Sequence, residues 1–189
     1  MPAWVSNFDG FPILMRAGFF MTIIVVAALA ASFFPANAQG IYQTPAAFLA
    51  TIFSGDVPVP ERLTVTMDMR HGIETILRHS YAARDIRYWR RGERTAWVLE
   101  EIGKFRPITV GIVVSGGAIE SVRVLIYRES HGWEVRHEFF VDQFKGLELD
   151  GENRLSHAVD GISGATLSVN ALRNLARLAL LFDGVVQGG

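Results

Sequence analysis

The 189-residue chain contains no cysteine. No disulfide framework, thiolate metal site, cysteine-ligated iron–sulfur cluster or cysteine nucleophile can therefore form from it. Such a chain is comfortable in an oxidising compartment, although the absence does not establish export. Lysine is almost missing too. Lys104 and Lys145 are the two present, and arginine carries the rest of the positive charge. The net charge is −1, with acids and bases interleaved. That balance predicts neither a nucleic-acid groove nor a polybasic membrane patch. No G-x-G-x-x-G fingerprint marks a nicotinamide dinucleotide site. His71, His79, His131, His137 and His157 are scattered. The tightest spacing, His131 to His137, lacks the carboxylate pattern of a metal motif, so no metal is expected. Internal repeats and low-complexity tracts are also lacking.

What remains is a folding composition. Half of the residues are apolar and a fifth are charged, which separates the chain from disordered sequences and suits one domain with a core. The longest apolar run is residues 17–34, AGFFMTIIVVAALAASFF. Pro35 follows, then Ala36, Asn37 and Ala38. An apolar core, a proline break and an Ala-x-Ala site read as a secretory signal over residues 1–38, cleaved after Ala38. The alternative is an uncleaved membrane anchor, since the run approaches the ~20 residues that span a bilayer. Either reading places the remainder on the extracytoplasmic side, in the periplasm or at the membrane face. Residues 1–14 hold Asp9 and no basic residue, a poor start for a signal, whereas Met15-Arg16 is a better one. Translation is therefore expected to begin at Met15.

Past the signal, residues 39–94 form an expected lead-in belonging to the same globular unit. A short helix fits Pro45–Ser54, with proline in its first turn and Pro58 and Pro60 beyond it. A second helix fits Arg70–His79, with Ile73, Ile76 and Leu77 on one face. Residues 84–91 and 94–101 read as strands joined by Gly92-Glu93. Residues 108–114 and 119–127 are stronger strands, joined across Gly116-Gly117. In the second of these, the even positions Val122, Val124 and Ile126 supply the better apolar face. Residues 137–144 suit either a helix or an edge strand. Residues 166–182 form a helix whose Leu172, Leu175, Ala179 and Phe182 make an apolar stripe. The fold class is α+β: an antiparallel sheet packed against helices, with the C-terminal helix opening at a small-residue loop.

That loop carries the chemistry. It reads Asp160-Gly161-Ile162-Ser163-Gly164-Ala165-Thr166-Leu167-Ser168. Gly161 and Gly164 allow backbone shapes barred to other residues. Ser163, Thr166 and Ser168 gather hydroxyls at a helix start, where unpaired N–H groups and the positive end of the dipole receive phosphate readily. Ordinary N-capping explains the same residues, and the residues alone leave both readings open.

The run DGISGATLS resembles the flavinylation motif of the FMN-binding domain family. That family includes FMN-carrying subunits of sodium-pumping quinone reductases and Rnf-type electron-transport complexes, and exported flavoproteins. Asp160, Ser163, Gly164, Ala165 and Thr166 fill its fixed positions. The resemblance implies that Thr166 takes FMN through a phosphodiester, made by a flavin transferase that consumes FAD, with Leu167 and Ser168 beside the attachment. It extends more weakly over residues 95–182, within an expected FMN-binding domain at 95–189. The hairpin at 108–127 is similar to the family's strand pair. The family's Glu-Thr-Pro-Gly segment, which approaches the flavin, corresponds to Glu129-Ser130-His131-Gly132. Glu129 and Gly132 match it, and Ser130 and His131 depart from it. Residues 139–146, with Gln143-Phe144, are also similar.

Several residues have two readings. Trp133 suits either stacking on a flavin ring or core packing. Glu100, Glu101 and Glu129 suit solvated or salt-bridged roles. Arg87, Arg90, Arg91 and Arg94 suit a solvated hairpin end or a docking patch for an acidic partner. The resemblance implies an exported electron carrier with covalent FMN, serving a membrane reductase or respiratory complex, rather than a self-sufficient enzyme. The alternative is a module that binds flavin reversibly, or senses or scaffolds without electron transfer.

Overall fold

The computed structural model describes residues 40–188. The signal segment expected at 1–38, with its Met15 start and Ala38 cleavage site, lies outside the described residues. In chain order the elements are β1 (Gly40–Ile41), α1 (Pro45–Ile52), β2 (Glu61–Thr64), α2 (Met67–Leu77), β3 (Asp85–Arg91), β4 (Arg94–Ile102), β5 (Pro107–Ser115), β6 (Ala118–Tyr127), α3 (Glu138–Val141) and α4 (Thr166–Gly188). Single 3-10 turns at Trp133–Arg136 and Asp142–Phe144 flank α3. Among the described residues no helix is long and apolar enough to cross a membrane.

The strands form one antiparallel sheet in the order β1-β6-β5-β4-β3-β2. Its central strands are β5 and β4, and β5 joins β6 in a hairpin turned by Gly116 and Gly117, both with positive φ. A two-residue turn of that shape matches the twist of the strands it joins. The two faces of the sheet are covered unequally. On one, Ile73 and Ile76 of α2 and Leu172, Leu175, Ala179 and Phe182 of α4 pack on Trp97, Ile108, Val110, Ile112, Val122 and Val124. The stripe read from the sequence of α4 is thus its buried face. On the other, Phe48, Leu49 and Phe53 of and after α1 pack on Ala96, Val113 and Leu125. The class is α+β, as the hydrophobic patterning predicts.

Four features depart from the sequence reading or resolve it. The lead-in supplies two edge strands, β1 on β6 and β2 on β3, both too short to show a period. The ambiguous 137–144 stretch is helical, with Phe140 and Phe144 buried edge to face at 5.6 Å. On β6 the apolar face is not simply the even positions. Irregular pairing at Thr109/Val110 and Val113/Val114 switches the side-chain parity, so Ile119, Val122, Val124 and Tyr127 share the larger core. Finally, α4 runs past Phe182 to Gly188 because its last turn is tied to the β3–β4 hairpin. Arg90 donates to the Val186 carbonyl at 2.9 Å, and Gln187 to that of Glu93 at 2.9 Å. Arg91 bonds Asp56, and Arg94 bonds Glu120 and the Ile52 carbonyl. Three of the four hairpin arginines therefore make internal contacts.

One buried polar network crosses the larger core. The Thr95 hydroxyl donates to Asp183 at 2.6 Å and accepts the Trp97 indole N–H at 2.8 Å. Trp97 is itself stacked on Tyr88 at 4.9 Å and tilted against Phe182 at 5.6 Å.

On the opposite face, α1 lies close to the sheet because β5 has no side chain beneath it at Gly111. A Cβ there would stand 2.7 Å from the Phe48 ring, inside van der Waals contact. Phe48 is buried among its neighbours and has nowhere to swing. Gly111→Ala should therefore lower stability by about 1–3 kcal/mol, the usual cost of overpacking a filled core. Urea unfolding measures it, and an unchanged midpoint would show that α1 is free to lift away.

Candidate functional site

β4 ends, β5 begins and β6 ends at the same end of the sheet, where Ile102 pairs with Pro107 and Ile108 with Tyr127. Three connecting segments meet there. The first is the β4–β5 loop. Glu129 Oε1 accepts the backbone N–H groups of Lys104, Phe105 and Arg106 at 2.5, 2.5 and 2.8 Å. Burial works against ionising this carboxyl, but the Arg106, Phe105 and Lys104 N–H groups outweigh it and hold its pKa below the ordinary value. Glu129 is thereby engaged with the loop's backbone.

The second segment is the turn after β6. Gly132 has φ 84°, in the left-handed region. A Cβ on it would lie 2.9 Å from the Tyr127 hydroxyl, 3.0 Å from Ser168 Oγ and 3.2 Å from the Ala165 methyl. Only glycine suits both that conformation and that approach. Through Gly132 the turn rests directly on the start of α4. The Tyr127 hydroxyl completes the junction: it donates to the His131 carbonyl at 2.5 Å and is hydrogen-bonded to Ser168 Oγ at 2.7 Å.

The third segment is the Asp160–Ser168 run. Its root is fixed from two sides. The Asp160 N–H donates to Gln143 Oε1 at 2.7 Å, and Arg173 donates to the Val159 carbonyl. The Asp160 side chain, Ser163 and Gly164 are exposed. The Ala165 carbonyl receives the first helical hydrogen bond, from Val169 N–H at 2.9 Å, which makes Ala165 the capping residue. Its methyl is buried, 3 % exposed, and offers no oxygen to the helix. Ser168, at 5 % exposure, is turned to Tyr127 instead. The capping explanation of the three hydroxyls therefore does not describe this helix. Among the described residues no side chain caps the N–H groups of Thr166, Leu167 and Ser168. Thr166 stands exposed at the first helical position, beside these open donors and the positive end of a long helix.

These three segments also carry large apolar side chains that remain in contact with solvent: Phe105 at 76 %, Trp133 at 42 % and Leu167 at 48 % exposure. Trp133 is thus not a core residue. Its ring meets His137 edge-on at 5.3 Å, and the Arg136 guanidinium lies 5.1 Å from its centroid. Arg136 in turn lies over Tyr42 at 4.3 Å, so the indole is braced from behind. The arrangement offers an anion a hydroxyl and open N–H groups, and offers a flat ring an apolar surface. A phosphate-bearing flavin has these two parts, and the residues present fit it.

Reading the sequence missed Tyr127 and the loop-holding role of Glu129. Gln143 was visible within the 139–146 similarity, although its bond to Asp160 was not. Tyr127 carried no signal beyond closing a strand, because its partner lies on the far side of the chain.

The Glu129 clamp has a pH dependence of definite sign. A carboxylate with a lowered folded-state pKa stabilises the loop above its unfolded pKa, and that stabilisation is lost as pH falls through the folded value. Amide exchange at Lys104, Phe105 and Arg106 should be slow near neutrality and lose protection on acidification. Glu129→Ala should remove the protection at all pH values, costing about 1–2 kcal/mol locally. Equal exchange in the variant and the parent would show that the clamp does not hold the loop.

The chain finds no match among curated proteins. Residues 103–181, however, match the family model of the FMN-binding domain. The match begins in the loop held by Glu129 and takes in β5, β6, the Gly132 turn, the Asp160–Ser168 run and most of α4. It leaves out β1 to β4, so it centres on the three segments that build the site. On this match, joined to a site with places for a phosphate and a ring, residues 103–181 are similar to the FMN-binding domain, and the function this similarity supports is flavin binding.

Proposed function

We propose that the protein is an exported electron-transfer flavoprotein that carries FMN on Thr166 through a phosphodiester bond. The observation that carries this reading is the environment of Thr166. Its hydroxyl is exposed at the first position of α4, next to N–H groups that no side chain caps among the described residues. The phosphate charge would be received by those N–H groups, and Gly164 leaves open space on the approach. Asp160 is the recognition residue for a flavin transferase that uses FAD. Ser163, Ala165 and Ser168 shape the loop and helix start, and Gly132 lets the turn close against them. Trp133 and Leu167 offer the ring a surface, while Glu129 acts indirectly by holding Phe105 in place. When bound, the isoalloxazine supplies one- or two-electron chemistry; the protein positions it and sets its surroundings.

In this reading residues 1–38 direct export, 39–94 form a lead-in, and 95–189 are the cofactor-bearing domain. The apolar 17–34 run and the Ala36-Asn37-Ala38 site support placement at the periplasmic or outer face of a membrane. The electron partner would be a membrane reductase or respiratory complex.

Thr166→Val is the sharpest test, because it keeps the β-branched shape and removes the hydroxyl. Ala165, not Thr166, occupies the cap position, so stability should change by no more than about 0.5 kcal/mol, as at an ordinary surface site. Protein exported from a host with the flavin transferase should then fold, lack in-gel flavin fluorescence and lose the mass of one FMN adduct. Asp160→Ala should cut loading similarly with the fold intact. Covalent flavin persisting in Thr166→Val, mapped to Ser163 or Ser168, would overturn the assignment. Flavin that leaves the parent protein on denaturation would favour reversible binding.

A further inference from the structure

Beside the flavin motif, but on the flank of α4, lies a cleft of about 690 Å³. That volume falls in the range of small-molecule sites. Its walls are the end of α2, residues 154–159 and the α4 face bearing Asn170, Arg173, Asn174 and Arg177. Arg78 and Arg154 complete it, and among the described residues no acidic side chain lines it.

The four arginines are not equivalent. Arg154 is paired with Asp150 and Glu152, both at 2.9 Å. Arg173 is committed to Asn170 Oδ1 at 3.2 Å and to the Val159 carbonyl. Arg177 bonds the Asn153 carbonyl through Nε, leaving both terminal nitrogens without a partner among the described residues. The Arg78 guanidinium has no hydrogen-bond or salt-bridge partner among them. Burial, and then the charge of Arg78, make the Arg177 guanidinium harder to keep protonated than an ordinary arginine. Asp150 relieves this in part. Arginine nevertheless stays charged in proteins. The cleft therefore concentrates like charge without a carboxylate on its walls, and an oxyanion entering it relieves the repulsion while filling the free guanidinium donors.

We propose that this cleft is a binding site for a small polyanion bearing two or more carboxylate or phosphoryl charges, separate from the flavin attachment. A single surface arginine would not define such a ligand. Two guanidiniums with free N–H groups, a third held rigidly by Asn170 and the loop carbonyl, and the Asn174 amide together do. The cleft also adjoins the motif. Asn170 is one helical turn from Thr166, about 6 Å along the axis at the α-helical rise. Arg173 grips the carbonyl of Val159, the residue before Asp160. An anion bound to this arginine cluster would stiffen the root of the motif loop.

Calorimetric titration of the purified full chain with pyrophosphate and, separately, with citrate tests the proposal at fixed ionic strength set by chloride. One saturable site is expected for at least one of them, and the preferred probe identifies phosphoryl or carboxylate chemistry. Arg78→Gln and Arg177→Gln should each weaken it about tenfold or more, the scale of losing charge-assisted hydrogen bonds. Arg78 is the safer variant because its side chain holds no part of the described fold. Arg87→Gln, exposed on β3 and outside the cleft, should leave affinity unchanged, and so should Thr166→Val. The proposal fails if neither probe saturates below about 10 mM, an affinity too weak for a specific site. It fails equally if Arg87→Gln weakens binding as much as Arg78→Gln, or if binding disappears with Thr166→Val.

Discussion

The structure depends most on the junction where Gly132, Tyr127 and Ser168 meet. Two hydroxyls sit 2.7 Å apart at the end of the sheet, and a glycine lies close enough that a methyl group would strike both. A net hydrogen bond contributes only about 1 kcal/mol, but leaving either hydroxyl buried and unpaired costs about 1–3 kcal/mol. The junction consequently specifies register more than it adds stability. It also fixes the phase of α4. With Ala165, Ser168 and Val169 turned inward, about 100° of rotation per residue sends Thr166, Leu167 and Asn170 outward. The exposure of the threonine follows from the burial of its neighbours.

A second polar contact holds the same helix farther along. Asp183, 1 % exposed, accepts the Thr95 hydroxyl, which also receives the Trp97 indole. Ser168 and Asp183 lie about 22 Å apart along α4 at the α-helical rise, so the helix is pinned to the sheet near both ends. Between the pins, contact is apolar and tolerant of sliding; a shift of one residue would strand a buried carboxylate and a buried hydroxyl together. Hydrophobic burial brings α4 to the sheet, and the two polar contacts decide where along it the helix stops.

This division explains what could be read from the sequence. The strands at 108–114 and 119–127, the turns at Gly92-Glu93 and Gly116-Gly117 and the stripe Leu172, Leu175, Ala179, Phe182 are local patterns, and each appears where its period places it. The pieces that escaped are those decided at a distance. β1 spans two residues and exists because β6 offers an edge. The extension of α4 to Gly188 rests on Arg90 and Gln187 reaching across the hairpin. Parity along β6 changes because of pairing irregularities that no alternation announces. At the site, the run around Thr166 was legible as a motif. That Ser168 would turn away from the helix end toward Tyr127, and that Ala165 would stand as the cap, required knowing what lay against them.

The large apolar side chains of the three segments form an open platform in the sense that each remains exposed, and this bears on the proposed bond. Non-covalent sites hold small molecules by burying roughly 70–90 % of their surface. Phe105, Trp133 and Leu167 are spread over three segments and remain substantially exposed, so a ring laid on them keeps much of its surface in water. Apolar contact of that kind orients a ring better than it retains one. A phosphodiester at Thr166 would make retention independent of burial, converting the ring's contact with the platform into an intramolecular event at high effective concentration. The platform could then stay open to a redox partner without losing the cofactor. An enclosed pocket would have favoured tight reversible binding at the expense of that access. The exposure of these side chains is thus a physical reason to favour attachment over reversible binding, and it places the requirement on an exposed hydroxyl such as that of Thr166 at the helix start.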